Sequence, residues 1–295
     1  MTLAALLAAV SIVFPPEGAK LPHLERCYVM GFADGGETLE VPVHRTGAWA
    51  TVVDVKPGTN VVVVGGVRRT FVIGSLESLG SKGTKGSDEK RVYKKLEYAA
   101  DQAKPHPAER KPEEITVVLD AGHGGHDTGA MSPHALPEKD ANLRLAKAVR
   151  DELVKRGYRV VMTREDDTFV ELYDRPKVAH KAKADLFVSI HHNAPGYASN
   201  PFAIRSQSVY AWNPLGERLA KAINARMAAA DPTLRNDGVL HANFAVTRNP
   251  EIPSCHIEAD FITHPDGECA AWDAARRPSV AAAIADGITD WVAGR

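Results

Sequence analysis

The sequence predicts an α/β domain, a largely parallel sheet flanked by helices, over residues 114–295, preceded by a small all-β accessory domain over residues 1–75. Three observations carry this. From Ile115 onward, short apolar runs alternate with longer segments whose apolar residues recur at helical spacing, the pattern of a parallel sheet with crossover helices. Before Ser75, strand-like runs follow one another with Gly, Pro and Asn between them, which suggests a small sandwich or barrel. Between the two, residues 76–113 form a polar linker containing glycine and proline.

In the first part, the strand-like runs are Arg26–Phe32, Thr38–Val43, Ala48–Asp54, Asn60–Val64 and Arg69–Ile73, with turns at Asp34-Gly35-Gly36 and Pro57-Gly58. Met1 to Val13 is apolar without the Lys or Arg of a signal n-region. It reads either as the remnant of an apolar signal region or, at Ser11–Phe14, as a first strand. In the linker, Ser81–Ser87 is glycine-rich, and Val92, Leu96, Ala99 and Ala103 allow one short amphipathic helix before Pro105, Pro107 and Pro112. The charge run Asp88–Arg91 is a solvated face.

The second part opens on the strand Ile115–Leu119. A helix over Asp140–Arg156 follows, with Leu143, Ala146, Val149 and Leu153 on one side, and Gly157 stands where a helix C-terminus favours glycine. Tyr158–Thr163 is the next strand and Leu172–Ala184 the next helix. Strands near 186–190, 207–212, 244–247 and 254–259 complete the sheet, and helices near 214–230 and 278–292 cover it.

Lys and Arg number 36 against 37 Asp and Glu, so the net charge is −1, which argues against a nucleic-acid partner. No apolar run approaches the roughly 20 residues of a membrane span. Of Cys27, Cys255 and Cys269, at least one is unpaired within a monomer, and their spacing fits no zinc ribbon.

The chemistry gathers at strand ends. His123 follows a buried strand within Gly122-His123-Gly124-Gly125, and His191 follows a second one in His191-His192-Asn193. Glu138 stands just ahead of a helical pattern. Two nitrogens and one carboxylate are the ligand set of a catalytic zinc, which keeps its fourth position for water. Glu258, in the strand Cys255–Phe261, is an acid that could serve such a water as base. Asp120 and Asn193 are candidates for holding a ligand histidine by its other ring nitrogen, and Asn193 is, with Arg248, a candidate for binding substrate. Arg248 either clamps a carboxylate or carbonyl of a peptide substrate or forms a salt bridge within the fold. His126, His134 and His192 either touch substrate or the groups that support the ligands, or are ordinary surface or loop histidines. His256, on the strand face of Glu258, is either packed or supports the site from behind the ligands, and is not itself a ligand.

From about residue 115 to 295 the chain resembles the zinc-dependent N-acetylmuramoyl-L-alanine amidases of the Amidase_3 family. The resemblance runs in order through Asp120–Gly125 with Asp127 and Gly129-Ala130, Glu138-Lys139-Asp140 with Asn142-Leu143, Thr163–Asp167, Ser189–Ala194, and Ile257-Glu258 with Phe261. His192 and Asp260 depart from it, where relatives often have Ala and Gly. The resemblance implies one zinc ion held by His123, Glu138 and His191, with Glu258 as the catalytic carboxylate. It also implies a periplasmic or extracellular peptidoglycan hydrolase cleaving the amide between the lactyl group of N-acetylmuramic acid and L-alanine. The residues alone support only metal-assisted amide hydrolysis, which a zinc peptidase acting on wall stem peptides would share. A non-catalytic wall-binding module is the other alternative. Some relatives carry a long insertion after the second histidine strand, with a helix that blocks the metal. The thirteen residues 194–206 are too few for that, so the expectation is an open groove that needs no activator; a monomer is expected as well.

Overall fold

The computed structural model describes residues 10–34, 39–75, 107, 110–249 and 251–294. The N-terminal part contains β1 (Val10–Phe14), β2 (Lys20–Leu21), β3 (Arg26–Ala33), β4 (Ala48–Asp54), β5 (Gly58–Val64) and β6 (Val67–Ile73). They make two three-stranded sheets, β1-β3-β4 and β2-β6-β5. Alternation along β3 decides the packing: Cys27 and Val29 turn toward the second sheet, into a core where Trp49 of β4 and Phe71 of β6 are fully buried, and Tyr28 and Met30 turn the other way. The N-terminal region is therefore a sandwich and not a barrel. The strand expected over Thr38–Val43 is not found: residues 35–38 lie outside the described residues, and Leu39–Val43 makes only an isolated bridge from Val43 to Trp49. Pro42, which has no N–H to give to a ladder, accounts for this. The expected linker helix and charge run also lie outside the described residues.

The second sheet has six strands: β7 (Thr116–Ala121), β8 (Arg159–Met162), β9 (Leu186–Asn193), β10 (Gln207–Ala211), β11 (Asn236–His241) and β12 (Ser254–Phe261). Their order is β11-β10-β12-β9-β7-β8, and every pair is parallel except β10 with β12. The helices are α1 (Glu138–Lys155), α2 (Arg175–Lys181), α3 (Pro214–Ala230), α4 (Pro265–Trp272) and α5 (Arg277–Val292). One face of the sheet, with Leu119, Val188, Ile190, Cys255 and Ile257, is buried under Leu145, Val149, Leu219, Ile223, Ile284 and Ile288 of α1, α3 and α5. The opposite face carries Val118 and Phe187 against Ala179 of α2 and Ile252.

Two sequence expectations need correction here. The strand expected at 244–247 is a turn, closed by Thr247 N–H donating to the Phe244 carbonyl (3.1 Å). The edge strand is instead β11, whose Asn-Asp-Gly start resembles a turn. The helix expected from Leu172 begins only at Arg175, with Pro176 in its first turn, and Leu172 and Tyr173 are exposed.

The chain runs from β7 to β8 on one side and then crosses to β9 on the other. Between the carboxyl ends of β7 and β9 there is consequently a crevice, the place where open α/β sheets hold ligands. The sandwich docks beside that crevice. Its Tyr28 N–H donates to the Tyr197 carbonyl (2.7 Å), and Phe14 stacks on Tyr197 at 5.8 Å. Phe202 packs on Tyr28, Met30 and Ala50. Arg45 pairs with Asp266 at 2.6 Å.

Candidate metal centre

β7 delivers His123 to the crevice through a tight turn. His123 itself has a left-handed backbone (φ 60), a conformation uncommon for residues other than glycine. Two buried guanidinium groups hold this turn by its carbonyls. Arg164 donates to Ala121 O, Gly122 O and Lys139 O, each at 2.8 Å, and Arg175 donates to Ala121 O and His123 O, each at 2.9 Å. Gly122 leaves room for His191, because a Cβ there would lie 2.1 Å from the imidazole Nε2.

Glu138 enters from the first residue of α1, where the helix dipole favours a negative charge. Its carboxylate is 4% exposed. Oε2 accepts from Ala130 N–H (2.9 Å) and Oε1 from Asn142 Nδ2 (2.9 Å). His192 Nδ1 lies 2.9 Å from Asn142 Oδ1, so the buried His192 fixes the amide that fixes Glu138.

His123, Glu138 and His191 are the residues the sequence put forward as ligands, and the structure brings them together. Their ligand atoms all lie within 4.8 Å of one another. His123 Nε2 stands 3.2 Å and His191 Nδ1 3.0 Å from Glu138 Oε1. Donors bound tetrahedrally at about 2.0–2.1 Å stand roughly 3.3 Å apart, so the spacing suits a zinc-sized ion. On its other side, His123 Nδ1 is 2.8 Å from Asp127 Oδ2, which holds a proton on Nδ1 and leaves Nε2 as the atom that would face a metal once its own proton is displaced. Burial disfavours the imidazolium of His123, but hydrogen bonds and charge from Glu138 and Asp127 outweigh it and raise the pKa to about 9. Burial would raise the carboxyl of Glu138, yet both histidines hold it well below the usual range. Burial, with His256 beside it, pushes His191 down despite Glu138. This concentrated negative charge between two nitrogens fits a divalent cation.

Glu258 sits directly across from His191 in the β12–β9 register, and its side chain is on the same face of the sheet. Its Oε1 is 2.7 Å from His256 Nε2, while Oε2 is buried without a hydrogen-bond partner among the described residues.

The remaining candidates are placed differently. Asp120 meets neither ligand histidine through a hydrogen bond. It accepts from Arg175 (2.8 Å), Thr163 (2.7 Å) and Ser189 (2.6 Å), and the carboxylate that meets a histidine of the cluster is that of Asp127, on His123. Its sequence signal was the Gly124–Gly129 turn, which folds Asp127 back onto His123. Asn193 caps its own strand end, its Oδ1 accepting from Ala194 N–H (2.8 Å). Arg248 is exposed and donates to the Asn243 carbonyl (3.2 Å), with no salt bridge among the described residues. His126 is exposed and packs on Phe169, whereas His134 bridges Glu268 (2.6 Å) and the Thr46 carbonyl (3.1 Å) of the sandwich. The three cysteines are free, Cys27 and Cys255 buried and Cys269 exposed.

Residues 117–290 match the Amidase_3 family, described as N-acetylmuramoyl-L-alanine amidase. The N-acetylmuramoyl-L-alanine amidase AmiA of Escherichia coli K12 is 35% identical over 221 residues, covering 59% of this chain and 75% of that protein. The probable cell wall amidase LytH of Staphylococcus epidermidis is 36% identical over 178 residues, covering 60% of this chain and 58% of that protein. The solved structure of the amidase AmiC2 of Nostoc punctiforme superposes with a TM-score of 0.57 at 33% identity, over 60% of this chain and 97% of that one. The order of motifs, the six-stranded sheet and the His-Glu-His cluster agree with these likenesses, and the chain belongs to the Amidase_3 family of N-acetylmuramoyl-L-alanine amidases.

Proposed function

We propose that this protein hydrolyses the amide between the lactyl group of N-acetylmuramic acid and L-alanine in peptidoglycan, with zinc held by His123, Glu138 and His191 and with Glu258 as general base. The supporting observation is the pairing of His191 with Glu258 across β9 and β12, which sets a free carboxylate oxygen beside the ligand cluster. The chemistry supplied by zinc, when bound, is polarisation of the scissile carbonyl and a lowered pKa for water in the site, to about 7 in favourable cases. Glu258 Oε2 takes the proton of the attacking water and returns it to the amide nitrogen, so that a neutral amine departs. Glu138 provides the negative charge of the ligand set, and Asp127 and Asn142 hold His123 and Glu138 in place. We assign Arg248, exposed on the loop that also carries Phe244, to carboxylates of the stem peptide, and Asn193 to the mouth of the crevice.

Residues 194–206 form turns, and Tyr197 and Phe202 pack on the sandwich, which supports an open site that works without an activator; we take the protein as a monomer. We take residues 1–75 as an accessory domain, 76–113 as its linker and 114–295 as the catalytic domain. The wall substrate puts the protein in the periplasm or outside the cell. No helix among the described residues is long and apolar enough to cross a membrane. Glu258→Gln tests the assignment: turnover should fall about 100- to 10,000-fold with zinc content unchanged. Loss of the metal, or normal turnover, would remove Glu258 from the role of base.

A further inference from the structure

We infer that His256 is a positioning residue for the hydrolysis: it donates a hydrogen bond that ties down one oxygen of Glu258 and leaves the other as the single proton acceptor. The inference rests on the assignment of Glu258 as base and concerns how that base is held.

β12 places His256 two residues before Glu258, so both side chains project from the same face. His256 lies opposite Ser189 on one side and Tyr210 on the other, and Glu258 lies opposite His191 and Ser208. The imidazole is enclosed by rings. It stacks on His191 with centroids 4.3 Å apart and 24° between planes, and Phe244 and Tyr210 approach at 5.0 and 5.9 Å. This packing leaves little rotational freedom, and His256 is only 7% exposed.

Among the described residues, its Nε2 has one hydrogen-bond partner, Glu258 Oε1 at 2.7 Å, and its Nδ1 is buried with none. A carboxylate only accepts, so Nε2 donates. A hydrogen bond this short to an ionised acceptor belongs to the stronger, charge-assisted class. Its effect is geometric. A free glutamate side chain samples several rotamers, and only some of them bring an oxygen to the water. With Oε1 fixed on a ring that cannot turn, Oε2 is left buried and without a partner beside His191, the position a base needs. Arrangements of this kind, in which a second residue orients the base, recur wherever a proton must move between fixed atoms.

The test is a double-mutant cycle on the zinc-loaded, full-length protein with purified sacculi as substrate. His256→Leu should lower kcat about 10- to 100-fold, with KM changed less than about threefold and with zinc content and melting temperature near wild type. His256→Gln, whose amide nitrogen can stand near the Nε2 position, should recover most of the loss. In a Glu258→Gln background, already slow, His256→Leu should cost less than about threefold more, because there is no base left to position. A second reading needs no turnover. In metal-free protein the His256 Nε2 proton should give a slowly exchanging NMR resonance that shifts in Glu258→Gln. Equal losses from His256→Leu in both backgrounds, or no loss in the wild-type background, would overturn the inference while leaving Glu258 as base. Normal turnover in Glu258→Gln alone would instead overturn the assignment of the base. Should His256→Leu fail to fold, a His256→Gln protein with the full Leu-like loss of kcat, or the absence of the resonance, decides against the inference.

Discussion

Removing Asp127 should weaken zinc binding without unfolding the protein. Its Oδ2 accepts from His123 Nδ1 at 2.8 Å, and its Oδ1 from Gly129 N–H at 3.2 Å. Loss of such a partner behind a metal-bound histidine typically costs 10- to 100-fold in metal affinity. The Asp127 side chain is 42% exposed, so in Asp127→Ala water can take over part of its work. The expected loss therefore lies at the low end, about tenfold or roughly 1.4 kcal/mol. Asp127→Asn keeps an acceptor oxygen and should lose about threefold or less. A competition titration against a chromophoric chelator measures the affinity, and a circular-dichroism melt of metal-free protein should shift little between variants. Unchanged zinc affinity in Asp127→Ala would refute the idea that this carboxylate sets the tautomer of His123.

Asp120→Asn should behave in the opposite way, keeping zinc but destabilising the fold by about 3–5 kcal/mol, because Arg175 would lose its buried carboxylate. Burial alone would raise the pKa of Asp120, yet Arg175 with Ser189 and Thr163 lowers it; its stabilising contribution is therefore full above the unfolded value near 3.9 and is lost as pH falls through the lower folded value. A denaturation series below pH 4 checks this, and the wild-type and Asp120→Asn curves should converge there. Gly122→Ala should abolish stoichiometric zinc binding, since the added methyl would fall 2.1 Å from the His191 ring, and metal analysis of the purified variant reads the outcome. Phe202→Ala should cost about 1–3 kcal/mol by uncovering the Tyr28–Met30 face of β3, with turnover not increased. A large increase would mean that the docked sandwich restrains the site.

The fold class and the clustering of His123, Glu138 and His191 were legible because both depend on short-range signals. Val117–Leu119 and Leu186–Val188 are continuous apolar runs of the kind a buried strand carries, and a histidine follows each within four residues, His123 and His191. Glu138 could be placed because a helical pattern follows it directly. Elements whose character comes from tertiary contacts were harder to read. β11 is an edge strand whose Asn236, Asp237 and Gly238 carry no strand pattern, and it exists through its parallel pairing with β10. Phe244–Thr247 has strand-like composition but turns back through the Thr247 hydroxyl, which donates to Ala242 O at 2.8 Å. The short α4 begins at Pro265 and was not recognised, although proline in a first turn followed by Asp266 and Glu268 is a helix start. Around the site, Asp120 looked like the partner of a ligand histidine by sequence proximity alone. The distances that assign this role to Asp127, and that hold the turn through Arg164 and Arg175, arise only when β7, β8 and α2 are assembled.

The central claim is best tested by one digestion. Purified sacculi are incubated with protein stripped of metal by chelator and with the same protein after zinc is restored, and the products are read by mass spectrometry. The account predicts release of peptides that begin with L-alanine and glycan strands whose muramic acid bears a free lactyl carboxylate, in the zinc-restored sample alone. Stem peptides cut elsewhere with the muramoyl amide intact, or the same products with the metal removed, would contradict it.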